Sequence, residues 1–329
     1  MEEITQLNSL LEKVARYQPS YGGGLATHLP MVLIALNKLS APNAKLVETF
    51  HNSVDNLEVI GSLDKVDMVA NIESELGNSK SFKRYLKYFQ HQLAQNTIKA
   101  VLEKSLPILI SGIAASAFHG LIRLAYALEA NSRSEIAIAL AYWSAEYQPF
   151  ELLEETTSER LADILTRLAP LGEHYDFSPG IIVNRMNEIA ELLKSHRSVI
   201  QPAAIDLETL QQFALKSFYL SDDFTLLHTV TGCHAFSIIL PFLKNEELAL
   251  RQLWKAILVA YLSTGLGFKD EKLNIPACDV DFEQLRSNAL QSKDSHIIKL
   301  VYSCRAEYQK SNKPLYYLVA KRAVFAHLG

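Results

Sequence analysis

Residues 107–129, PILISGIAASAFHGLIRLAYALE, form the longest apolar run in the chain, and a histidine stands in its middle. Pro107 can open a helix, because the N–H it lacks would be unpaired in the first turn. Only Gly112 and Gly120 weaken that helix, each by about 1 kcal/mol against alanine. Together with Ala115 and Ser116 they let a neighbouring helix approach closely. The spacing predicts one continuous helix on which His119, Arg123 and Tyr126 share a face. A helix apolar all round is buried, so this one carries an imidazole and a guanidinium into the interior, where both need partners. The run is long enough to cross a bilayer. Arginine at a bilayer centre costs at least ~2.5 kcal/mol, however, so a core helix and no membrane span are expected.

The rest of the 329-residue chain is compatible with a large core, since 49% of it is aliphatic or aromatic. A net charge of −4 provides no basic field for nucleic acid, which is excluded as a partner. Cys233, Cys278 and Cys304 are odd in number and form no CxxC. A disulfide framework and a zinc–cysteine site are therefore not expected, in keeping with a reducing, cytoplasmic location. The acidic, amphipathic N-terminus lacks the basic start and apolar centre of a signal peptide. Oligomeric state is left open.

Helical periodicity recurs along the whole chain. It predicts helices over 4–16, 30–39, 43–56, 81–104, 132–147, 158–169, 181–197, 206–220, 246–264, 282–310 and 314–328. A further helix is capped by the Ser221-Asp222-Asp223 cluster. No stretch alternates as a strand does. The fold class is thus all-α, with a dozen helices or more in a single domain over 1–329. A subdivision near 150 or 200–205 has no linker composition behind it. Gly22-Gly23-Gly24 is a loop but not a P-loop, since no Lys-Ser/Thr follows and no strand precedes.

Chemistry is concentrated in histidines. His119, His228 and His296 stand in apolar helical settings, and His28 at the mouth of another apolar helix; His51, His91, His174, His196 and His327 read as surface residues. Four histidines from four separated helices is the pattern a metal centre in a helical core leaves. H-x-x-x-H and E-x-x-H are absent, so four ordinary core histidines are the competing reading. His228 and His234 lie six apart, about 120° around a helix. They cannot both face one ion unless Gly232 breaks the geometry, and His228, nearer the capped start of the helix, is the ligand candidate. His234 is left as a substrate-facing or supporting residue, or a core histidine on a carbonyl. His296 and Lys299 share a face at i, i+3. A buried lysine loses its proton more readily, and a neutral amine can add carbon dioxide to become an anionic, metal-binding carbamate. The plainer reading is a surface lysine with its head in water.

Four blocks, YGGGLATHLPMVLIAL, SGIAASAFHGLIRLAYAL, DDFTLLHTVTGCHAF and HIIKLVYSCRAEY, occur in order between Tyr21 and Val324 and resemble the questin oxidase-like family. The family includes enzymes that oxidatively open anthraquinone rings, described as Baeyer–Villiger-type oxidases or ring-cleaving dioxygenases. The resemblance implies an all-helical fold and a mononuclear non-haem iron held by four histidines and a carboxylated lysine. Carried over residue by residue, these are His28, His119, His228, His296 and Lys299. It further implies an aromatic polyketide or quinone-like substrate, O₂ as co-substrate, and oxygen insertion beside a quinone carbonyl. Arg123 and Tyr126, on the face of His119, are then candidates to orient an anionic phenolate or bound oxygen; a packing salt bridge and a core tyrosine are the alternative. This ligand set departs from the two-histidine, one-carboxylate triad and leaves fewer open positions for oxygen. No nucleotide fingerprint is present, so any reductant, such as NADPH, is expected to be external. Two competing readings remain: a non-catalytic helical protein binding a flat or lipid-like ligand, and a zinc or nickel hydrolase.

Overall fold

The computed structural model describes residues 6–275 and 279–326, so Cys278 and His327 lie outside the described residues. The chain opens with α1 (Gln6–Val14), a hairpin of β1 (Ser20–Tyr21) and β2 (Leu25–Ala26), α2 (Leu29–Lys38) and α3 (Asn43–Val54). The three glycines at the hairpin tip all have positive φ, at 54°, 84° and 119°. That backbone is open to glycine and strained for other residues. After two short 3₁₀ turns come α4 (Phe82–Gln95) and α5 (Ile98–Leu109). The predicted helix over 81–104 is therefore two helices. Thr97 leaves the helical conformation and its hydroxyl accepts from Ala100 N at 3.2 Å, capping α5.

The central run departs further from expectation. Pro107 lies inside α5, which ends at Leu109, and a 3₁₀ turn covers Ile110–Gly112. The backbone then turns left-handed at three successive non-glycine residues, Ser116, Ala117 and Phe118, with φ of 50°, 52° and 69°. Only then does α6 (His119–Glu129) begin. A left-handed residue costs roughly 1–2 kcal/mol, so this bend exists because α7 (Arg133–Ala145) and its extension clamp it. Trp143 Nε1 donates to Gly112 O at 2.8 Å, and Ser116 Oγ meets the Tyr142 hydroxyl at 2.5 Å. The Tyr147 ring lies so close over Gly112 that a Cβ there would stand 2.2 Å from it.

The remaining elements are β3 (Thr156–Thr157), α8 (Leu161–Glu173), α9 (Ile182–Ser195), β4 (Gln201–Pro202), α10 (Leu207–Ser221), α11 (Phe224–Ile239), α12 (Glu246–Leu262), α13 (Phe282–Gln291), α14 (Ser295–Ser311) and α15 (Pro314–Ala326). Strands β3 and β4 pair in parallel over two residues only, so sheet is marginal and the all-α reading holds. The stretch 282–310 is divided because Asp294 accepts from His296 N at 2.7 Å and starts a new helix. Asp223 caps α11 through Thr225 N and Leu226 N, at 2.7 and 3.1 Å.

Buried apolar side chains from Leu7 to Val324 form one contiguous cluster. Helix α6 lies at its centre against α2, α7 and α11, and α14 packs on both α2 and α11. Residues Phe224–Phe242 have the length and apolarity to cross a membrane, but that stretch is mostly buried against other helices of the protein.

Candidate metal centre

Four helix beginnings meet where α2, α6, α11 and α14 pack together. His28 is the residue before α2, His119 opens α6, and His296 is second in α14. His228 lies one turn into α11. Their rings touch: centroids are 4.8 Å apart for His28–His119, 4.6 Å for His28–His296, 4.9 Å for His119–His228 and 5.5 Å for His228–His296. The four histidines singled out from separated blocks of sequence are thus one cluster.

The partners of the outer nitrogens decide which way the inner ones act. His119 Nδ1 faces Ser116 O at 2.7 Å and His228 Nδ1 faces Phe224 O at 2.9 Å. His296 Nδ1 faces the Asp294 carboxylate at 3.0 Å. Carbonyls and carboxylates only accept, so all three Nδ1 atoms carry the proton and all three Nε2 atoms present a lone pair. His296 Nε2 is buried with no hydrogen-bond partner. Metal-binding histidines are held in this way, the far nitrogen donating to an oxygen that fixes ring and tautomer.

His28 differs. Its Nδ1 meets Ser295 Oγ at 2.8 Å, and its Nε2 meets His119 Nε2 at 2.8 Å. Since His119 Nε2 has no proton, His28 Nε2 donates and His28 Nδ1 accepts from the serine. Among the described residues no group of three or more His, Cys, Asp or Glu side chains is already spread as coordinating ligands. The nitrogens lie against one another instead. An ion would have to part His28 from His119 and leave His28 protonated on Nδ1. A hydroxyl can accept as well as donate, so Ser295 tolerates both tautomers. The donor types suit a transition-metal ion, and the four rings would have to draw their Nε2 atoms round it.

Electrostatics point the same way. Burial, and then the charge of Lys299, hold His28 well below its ordinary value. Burial and then His228 do the same for His119. Burial followed by Lys299 brings His228 to about 3, and burial lowers His296 against the opposing pull of Asp294. All four are neutral at pH 7 and available as ligands. Lys299, one turn beyond His296, is 1% exposed and has no ion pair among the described residues. Burial lowers its amine to about 7, with Asp294 opposing.

The cluster forms the floor of an open cleft of about 1550 Å³. The glycine hairpin, α3 with the residues after it, and the start of α9 line it, and Ser116 and Ala117 of the left-handed bend border it. Phe224 stands at the floor, its ring edge-on to His228 and His296 with centroids 5.0 and 4.7 Å away.

Lys299, whose charge acts on all four rings, lies behind the cleft lining, and three other residues named from sequence are not brought to the histidine cluster. Arg123 turns away from His119 into α7. Its Nε and Nη2 reach Glu135 Oε2 at 3.1 and 2.9 Å, with both side chains fully buried. Burial raises the Glu135 carboxyl, and Arg123 opposes that shift. The role of orienting a substrate or oxygen is therefore withdrawn for Arg123, which is a packing ion pair. The Tyr126 hydroxyl lies against Ser303 Oγ at 3.3 Å and Lys299 O at 3.5 Å. It supports the Lys299 helix from behind and does not line the cleft. Helix α11 is unbroken through Gly232, so His234 points away from His228, and its Nδ1 bonds Glu307 Oε1 at 2.8 Å. Ser295, Phe224 and the Ser116 carbonyl went unremarked in the sequence. Ser295 alone left a signal, as the neighbour of His296 behind a capping aspartate.

No curated protein matches the chain. The profile of the questin oxidase-like family matches residues 25–304, a span that contains the cleft floor and Lys299. With most of its length covered by that match, this chain belongs to the questin oxidase-like family.

Proposed function

We propose that the chain is an oxidoreductase that uses O₂ to open an aromatic polyketide or quinone-like ring, with one non-haem iron held by His28, His119, His228, His296 and carboxylated Lys299. The observation that carries this reading is the convergence of four neutral imidazoles, at least three presenting Nε2 lone pairs, on the floor of an open cleft. Iron bound there would supply the redox chemistry that lets O₂ react with an organic substrate.

The protein's own part is positional. Ser116 O, Phe224 O and Asp294 keep the Nδ1 protons in place, so the inner nitrogens stay available. Lys299 becomes a ligand by adding carbon dioxide: the neutral amine's lone pair forms an N–C bond, one C–O π pair moves onto oxygen, and a proton leaves nitrogen for solvent. With the amine at about 7, a large share is neutral at physiological pH. The exposed Phe224 ring offers a stacking surface directly over the floor. Apolar residues on the cleft also suit the second reading, a non-catalytic carrier of a flat apolar ligand, and metal content separates the two.

Anaerobic Fe(II) loading of purified protein is expected to give about one iron per chain by mass spectrometry, with the metal largely lost in His119→Ala. Loaded protein should consume oxygen when given hydroxyanthraquinones. Protein that stays metal-free, with His28→Ala and His119→Ala unaltered in stability, would overturn the assignment.

A further inference from the structure

Large apolar side chains left in water are informative when they gather. Three do so here: Leu25 on the hairpin, Ile181 at the start of α9 and Phe224 on the floor, exposed by 47%, 38% and 53%, all line the one cleft. Gly24 lies close enough to Ile181 that a Cβ on it would be 3.6 Å from the isoleucine Cδ1, so hairpin and α9 meet at the rim. A flat apolar body can lie among these three.

The same cleft also carries charged side chains, among them Lys45, Glu48, Lys293 and Arg185. Arg185, on the first turn of α9, has its Nε buried without a hydrogen-bond partner, and its guanidinium enters no ion pair among the described residues. The acids that share the cleft leave it so: Glu48 pairs with Lys45 at 3.4 Å, and neither Asp55 nor Glu58 bonds Arg185. A buried donor without a partner carries a desolvation cost that a ligand can remove. A guanidinium presents a planar fork that matches a carboxylate with two parallel hydrogen bonds. Arg185 is half-buried on the cleft, whereas Arg123, in the core, has its carboxylate in Glu135.

We propose that the cleft takes a flat aromatic acid, its rings among Leu25, Ile181 and Phe224 and its carboxylate on Arg185. This rests on the cleft being a substrate site for an aromatic compound and adds to it an anionic group on that compound. Arg185 is thereby a specificity-determining residue, distinct from the histidine floor.

Titration calorimetry of the full-length protein with 9,10-anthraquinone-2-carboxylate and with the neutral 2-carboxamide tests this. Wild type should bind the acid roughly 10- to 100-fold more tightly than the amide, as a charge-assisted bond implies. Arg185→Met should remove that preference while weakening the amide only a few-fold, and an unaltered circular dichroism spectrum shows that the variant is folded. Arg185→Lys should keep part of the preference. Equal binding of acid and amide by wild type, or a preference that survives in Arg185→Met, overturns the role of Arg185 while leaving the aromatic cleft standing. If wild type binds neither compound, the aromatic-substrate reading falls with it.

Discussion

Arg123 shows how far a single residue's role depends on its partner. It and Glu135 are 1% and 0% exposed, and the pair has no water to fall back on. Removing one member of a buried pair leaves an uncompensated charge, which costs about 3–5 kcal/mol. Glu135→Gln should therefore lower the urea midpoint severely, whereas Arg123→Met combined with Glu135→Leu should recover most of the loss. Equal damage from the single and double variants would mean that packing, not charge, dominates. Glu307 gives a pH-dependent counterpart. Burial pushes its carboxyl up, but the hydrogen bond with His234 and the Lys310 ammonium win and hold it at about 2. A folded value below the unfolded one contributes stability that is complete above about pH 4.5 and is lost as pH falls toward 2. The gap in Tm between wild type and Glu307→Gln should be widest above pH 4.5 and close through that window. A gap independent of pH would remove Glu307 as its source.

At the scale of elements, the run 107–129 is the instructive case. Periodicity and apolarity identify it as buried, and it is. They do not reveal the break at residues 116–118, because no glycine or proline stands there and the one capping-type residue, Ser116, bonds Tyr142 and caps no helix. The break is produced by residues of α7 and just beyond, Tyr142, Trp143 and Tyr147, which hold the bend from outside it. It also moves His119 from mid-helix to the first residue of α6. The two glycines, read from sequence as small costs, are close-packing sites. At Gly120 helix propensity favours alanine by about 1 kcal/mol. A Cβ there would lie 3.0 Å from Trp143 Cβ and Cγ, and overpacking costs about 1–3 kcal/mol. Gly120→Ala is thus expected to destabilise in chemical denaturation, against its propensity. The splits at Thr97 and Asp294 are different: both carry a capping residue in plain view, and the periodic apolar pattern on either side hid it.

For the whole molecule, the ligand candidates are spread over positions 28, 119, 228 and 296, so an ion joining them ties together most of the chain. An ion that binds only the folded form raises stability by mass action. Fe(II) loading should raise Tm, by more at higher metal concentration, and His228→Ala should abolish that increment. An increment that persists in the variant would locate metal binding elsewhere. We also propose that 1–329 unfolds as one domain, which a single calorimetric transition would support and two separated transitions would refute.

The helical class, the buried central run and the identities of the four histidines and Lys299 are properties of the sequence alone. Each is recorded locally, in the period of apolar residues or in a short block around one side chain. Tertiary structure decided which polar groups meet. It turned Arg123 to Glu135 and His234 to Glu307, set His119 at a helix start, and brought Arg185 to the cleft without a partner. Hydrogen bonds and ion pairs are satisfied across long separations in the chain, and a local pattern does not specify which distant group will be there to satisfy them.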